Sequence, residues 1–223
     1  MKSLFLLRVI IASISLVLFV VSGILLILKK FRTVSKIVLF LSPILLIFSV
    51  IGGWASNNQY QANLRQARIA REKQERKVAI KKSSTYKADV LADGYLAGSE
   101  IEKSGSYIYG KWQSYFNDDN ADYSSDGITK VVSAAVSDQS SNLSKAQAKI
   151  SAIEDDVSKI RLIYDKYPNI TRIASNYSSS KKMLNLLNKF YDNCSNPVGT
   201  YNGWTDKYNS LDSDLGNLLK SDY

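Results

Sequence analysis

The chain has 223 residues, a formal net charge of +9, one cysteine and no histidine. A single cysteine forbids an intramolecular disulfide, and the lack of histidine removes Cys/His zinc sites, Ser-His-Asp triads and Cys-His dyads. Residues 1–57 carry six basic and no acidic side chains, residues 58–87 nine and two, and residues 88–223 fourteen and eighteen, so the basic charge sits apart from the longest segment and does not fit a nucleic-acid-binding module.

Two apolar stretches, 9–28 and 37–55, flank the basic connection 29–36. Neither holds a charged side chain, and about 20 residues at 1.5 Å of rise each cross a hydrocarbon core of about 30 Å. Apolar residues occupy all sides of both helical wheels, unlike a soluble helix with one polar face. The pattern predicts a two-helix transmembrane hairpin over residues 1–57. The first run is longer than a secretory h-region and ends at Lys29 and Lys30, so a retained helix is expected. Pro43 invites a kink that membrane helices tolerate, and Trp54 suits the headgroup boundary. Gly53 and Ala55 form a small-x-small pair, which leaves cleavage after Ala55 open.

An even number of spans places Met1 and the segment beyond residue 57 on one side. The short connection offers Lys29, Lys30, Arg32 and Lys36, whereas residues 56–64 carry no charge. These immediate flanks favour an extracytoplasmic distal domain in a two-pass cell-membrane protein. Basic residues farther along favour a cytoplasmic one, and that alternative stays open.

Residues 59–82 are almost all good helix formers without Gly or Pro. They predict a basic helical stalk over 58–84, with Arg68 and Glu72, Arg71 and Glu75, and Glu72 and Arg76 spaced for ion pairs. Arg65, Arg68, Arg71, Lys73, Arg76, Lys77, Lys81 and Lys82 are candidates for contact with lipid headgroups or an anionic polymer. Ser83, Ser84 and Thr85 offer N-cap oxygens for a new helix, which sets the expected start of a soluble domain at residue 85.

Four amphipathic helices are predicted in that domain, over about 86–116, 127–167, 169–193 and 200–219. The first places Val90, Ala97, Ile101, Ile108, Trp112 and Tyr115 on one side, and its glycines demand close packing or a break. The second alternates threes and fours from Leu143 through Ala146, Ile150, Ile153, Val157, Ile160 and Tyr164 to Tyr167. Pro168 stops it. In the third, Ile170, Ile173, Tyr177, Leu184, Leu187, Tyr191 and Cys194 share a stripe; in the fourth, Tyr201, Trp204, Tyr208, Leu211, Leu215 and Leu218 do. Short turns between amphipathic helices predict an all-α, antiparallel, coiled-coil-like four-helix bundle over 85–223.

Candidate sites are few. Asp118, Asn120 and Asp122 alternate as in a calcium loop, but Tyr123 and Thr129 stand where such a loop needs glycine and glutamate, so the stretch is expected to be a polar turn with Ser125 or Asp126 as cap and at most a weak cation site. Cys194 has a core register and is expected to be a buried apolar residue. Glu154, Asp155 and Asp156 are consecutive and face different sides of a helix. Tyr107, Tyr109 and Tyr123 lie off the core stripes and are candidate partner contacts.

No cofactor is implied. The expectation is a non-enzymatic binding protein anchored in the lipid bilayer, of the immunity or exclusion type, presenting its bundle to a protein or an envelope polymer and compatible with homo-oligomers. The alternatives are a cytoplasmic membrane-tethered adaptor and a small enzyme using carboxylate, Tyr or Lys groups in a cleft with perturbed titration.

Overall fold

Good helix formers and three-four apolar spacing dominate the sequence after residue 57, and the chain folds accordingly. A computed structural model describes residues 10, 13, 14, 16–21, 24 and 32–222, with side chains at 58–221, at Ile47 and at the earlier isolated positions. Five helices have both ends among the described residues, α1 (Arg32–Phe116), α2 (Ser125–Asp138), α3 (Ser140–Lys166), α4 (Thr171–Ser195) and α5 (Tyr201–Asp222), and among the described residues there is no strand. The chain divides into two units, Met1–Lys73 and Gln74–Tyr223.

In the first unit, every described residue between Ile10 and Ile24 is helical and exposed. Nine of them are large and apolar, with exposures from 40% at Phe19 to 59% at Val17, and Ile47 is 58% exposed. Among the described residues no helix is long and apolar enough to cross a membrane, so the expected hairpin has no structural support there. Much of the stretch 9–28 lies outside the described residues, as do the side chains of 37–55 other than Ile47. Over 37–55 the backbone is helical, within α1. Residues 58–73 are helical and exposed throughout. None of the described residues from 58 to 82 takes part in an ion pair of 4.0 Å or less, against the expected i,i+4 pairing. Long solvated side chains gain only about 0–1 kcal/mol from such a pair and lose rotamer freedom in making it.

The second unit departs from expectation at its start. No new helix begins at residues 83–85, because their hydroxyls are used elsewhere. Thr85 Oγ1 donates back to the Lys81 carbonyl at 3.2 Å, while the oxygens of buried Ser83 and of Ser84 accept from Asn176 Nδ2 at 2.6 and 3.3 Å. The expected second helix is divided in two at Gln139. Ser, Asp and Asn crowd residues 137–142, where their side chains compete with helical backbone bonds. Gln139 Oε1 accepts from Asn142 Nδ2 at 2.8 Å, and the Gln139 N–H bonds Val136 O at 3.1 Å.

The long helices form a bundle whose contacts fix its directions. Lys149 Nζ meets Asp93 Oδ1 at 2.8 Å and Tyr107 donates to Asp138 Oδ2 at 2.7 Å, so α3 and the α2 end run against α1. Tyr164 stacks on Tyr177 at 5.2 Å, and Trp204 Nε1 donates to Asn193 O at 2.7 Å. Those contacts set α4 against α3 and α5 against α4. One core joins all five helices, with Ile101, Ile108, Ile150, Ile153, Ile160, Leu187, Phe190, Trp204 and Leu215 inside it. Fully burying each such side chain is worth about 1.5–3 kcal/mol.

On α4 the inward stripe differs from the expected one. Asn176, Ser180, Met183 and Phe190 are buried, while Tyr177, Leu184 and Tyr191 are only half-buried. The reason lies across the interface, where Ser83 receives Asn176 and Gly94 leaves room for the Met183 thioether.

Candidate partner surface

Antiparallel packing brings the α1–α2 loop and the α4–α5 loop to one end of the bundle, and aromatic residues converge there. From α1 come Tyr109, Trp112, Tyr115 and Phe116, and from α5 come Tyr201, Trp204 and Tyr208. Tyr109 stacks on Tyr201 at 5.5 Å with 28° between planes, and Trp112 and Phe116 meet Tyr201 edge-on at 5.7 and 5.6 Å. Trp112 also touches Trp204 at 5.8 Å, which stacks on Tyr208 at 5.4 Å. Offset and edge-on pairs of this kind contribute about 0.5–1.5 kcal/mol beyond their burial.

Tyr123 extends the array from the α1–α2 loop. Its ring lies parallel to Phe116 at 6.4 Å and its hydroxyl donates to Asp118 O at 2.7 Å. The loop is otherwise closed by its own carboxylates. Asp118 Oδ1 accepts from Asn120 N and Asp122 Oδ1 from Ser124 N, each at 3.0 Å, and Tyr115 OH donates to Asp122 O. The Ser124 hydrogen bonds hold the Asp122 carboxyl below its ordinary range. The helix cap is Ser124, whose Oγ accepts from Gly127 N at 3.1 Å, rather than Ser125 or Asp126. Among the described residues no three Cys, Asp or Glu side chains converge as metal ligands, and Asp118, Asn120 and Asp122 serve turn geometry.

In the opposite loop, Gly199 takes φ +94°, a backbone state open to glycine at little cost, and Thr200 Oγ1 accepts from Gly203 N at 3.2 Å to start α5. This turn leaves Val198 68% exposed, near an end where Phe116 is 40% and Tyr123 50% exposed.

Two hollows open at this end. One, of about 580 Å³, is walled by Tyr109, Phe116 and Tyr201 and rimmed by Gln113, Asn117 and Asn202. The other, of about 530 Å³, lies between Trp112, Ile128, Val132 and Val136 on one side and Pro197 and Val198 on the other. No charged side chain lines either hollow. Burial, with the neighbouring Tyr109 second, pushes the Tyr201 hydroxyl up to about 12, so at neutral pH it stays protonated.

The remaining sequence candidates are spread out. Tyr107 is tied to Asp138 and lies beneath Lys111 Nζ at 5.3 Å, whereas Tyr109 and Tyr123 join the aromatic end. Arg65, Arg68, Arg71 and Lys73 are exposed in the first unit, and Arg76, Lys77, Lys81 and Lys82 are exposed in the second. Cys194 is wholly buried, and burial pushes its thiol up to about 12. Glu102 is raised by burial and by its neighbour Asp212, and neither lines a hollow. Neither spacing nor composition marks Phe116, Gln113, Asn117, Val198 or Asn202 as surface-forming residues. The available signal was topological, since an up-down bundle puts the turn after α1 and the turn at residues 196–199 at the same end.

Comparison with protein-family models, curated proteins and solved structures finds no match to the chain.

Proposed function

We propose that this chain is a membrane-anchored binding protein without enzymatic activity, whose helical bundle faces the outside of the cell and meets its partner with the loop end. The observation that carries the binding reading is the aromatic end, where Phe116, Tyr123 and Val198 are exposed around two hollows whose linings carry no charge. Aromatic side chains give large contact area at low conformational cost. The linings of the hollows hold no carboxylate, lysine or arginine, and of their tyrosines Tyr201 is held protonated at neutral pH, which favours binding over acid–base chemistry there.

Anchoring is supported by the charge-free stretches 9–28 and 37–55 and by the exposed apolar side chains between Ile10 and Ile24. Apolar exposure of that extent marks a surface meant for lipid or for another protein. The unpaired cations from Arg65 to Lys82 suit contact with anionic headgroups or an envelope polymer at about 1 kcal/mol per residue near a charged surface.

The binding reading is tested with the full-length chain held in nanodiscs and incubated with solubilised cell envelope. Replacing Phe116→Ala together with Val198→Ser should abolish capture of a component that the parent chain retains. Leu162→Ser, at a side chain 71% exposed on α3, should leave capture unchanged. Equal capture by the Phe116/Val198 variant would overturn the assignment.

A further inference from the structure

The geometry points to a carbohydrate site: the hollow of Tyr109, Phe116 and Tyr201 takes neutral pyranose units of a glycan. This rests on the loop end being the partner surface and names the chemistry it recognises.

A pyranose ring has two faces of differing character. Its axial C–H groups make an apolar face that lies against aromatic rings, and its equatorial hydroxyls both donate and accept hydrogen bonds. The hollow supplies both complements. Tyr109, Phe116 and Tyr201 form the wall, already fixed by the stack at 5.5 Å and the edge contact at 5.6 Å, so little ordering remains to oppose binding. Gln113, Asn117 and Asn202 bring three side-chain amides to the rim, each with an acceptor oxygen and a two-proton donor. None of these amides makes a side-chain hydrogen bond within the described chain, so all three are free to meet hydroxyls.

Two further features narrow the ligand. The absence of charged side chains from the lining offers no partner for a carboxylate, phosphate or ammonium group, which selects a neutral sugar. The volume of about 580 Å³ lies in the range of small-molecule sites, about 300–1,000 Å³, and its open side lets a chain continue past the bound unit. The second hollow has an aliphatic wall of Ile128, Val132 and Val136 and lacks the triple amide rim.

The test is saturation-transfer NMR on the full-length chain in phosphatidylcholine nanodiscs, with cellobiose and N,N′-diacetylchitobiose as probes. At least one probe should receive magnetisation, with a Kd of about 1 mM as expected of a single shallow site. Phe116→Ala should abolish the transfer. Gln113→Ala and Asn202→Ala should each weaken binding about fivefold, the effect of losing one hydrogen bond. Asn217→Ala, exposed on α5, should change nothing. All of these but Phe116→Ala remove only exposed polar side chains, so loss of the fold does not confound them. Silence of both disaccharides, or transfer indifferent to Phe116 and Gln113, would overturn the sugar assignment. Envelope capture lost in the Phe116/Val198 variant alongside silent sugars would leave the partner surface standing, whereas capture unaffected by that variant would remove it.

Discussion

A methyl group at Gly105 would overlap the ring of Tyr208, whose hydroxyl donates a hydrogen bond to Glu102 O at 3.1 Å. Gly98 is similarly close to Leu215, whose Cδ2 would lie 2.6 Å from an added Cβ. Glycine lowers helix propensity by about 1 kcal/mol, and here close approach of α5 to α1 offsets that loss. Gly105→Ala should therefore lower stability by about 1–3 kcal/mol through overpacking. Gly110→Ala, with nothing within 4 Å of the new methyl group, should raise it by up to about 1 kcal/mol. Denaturant titration of the two variants checks this, and a shift of the same sign in both would contradict it.

Buried titrating groups set a pH response at the same scale. Burial raises the Cys194 thiol from 9.0 to about 12 and the Tyr208 hydroxyl from 10.0 to about 12. Both are acids held neutral in the fold, so their contribution is complete below the unfolded pKa values and is lost as pH climbs through the folded ones. The melting temperature should be level near neutral pH and fall between about pH 9 and 12. Cys194→Ala should flatten the first part of that fall. A level profile across the window would contradict the burial of these groups.

At the scale of elements, helix identity was legible because apolar residues repeat at three-four spacing, and the long runs on α3 and α5 pack as that spacing predicts. Breaks were less legible. Residues 83–85 have the composition of a cap, yet Ser83 packs inside α1 because Asn176, 93 positions away, bonds its oxygen. Gln139 interrupts a good apolar stripe because short polar side chains around it compete locally for backbone groups. The polar stripe on α4 was missed for the same reason as the Ser83 contact, since buried serine and asparagine have no hydrophobic period to reveal them. This pairing makes its own prediction. Asn176→Ala should cost about 1–3 kcal/mol by leaving Ser83 unsatisfied, and in the Ser83→Ala background the cost should shrink by about 1 kcal/mol. Additive losses would show that the two side chains stabilise the bundle separately.

For the whole molecule, composition and apolar runs point to the proposed anchor, and the candidate partner surface emerges only when topology joins two loops distant in sequence. Tyr109 and Tyr123 were visible as aromatics off the core stripes; Phe116, Gln113 and Asn202 gain meaning from the convergence of the α1 and α5 ends. The orientation of the proposed anchor turns on the basic flank from Arg65 to Lys82, because it opposes the charge asymmetry of the short connection 29–36. The decisive measurement is protease treatment of intact protoplasts expressing the chain with an epitope tag after Tyr223. An anchored, outward-facing bundle requires that the tag pellet with membranes after alkaline extraction and be lost to external protease. Release of the tag into the alkaline supernatant, or its protection until the protoplasts are lysed, would contradict an anchored bundle that meets its partner outside the cell.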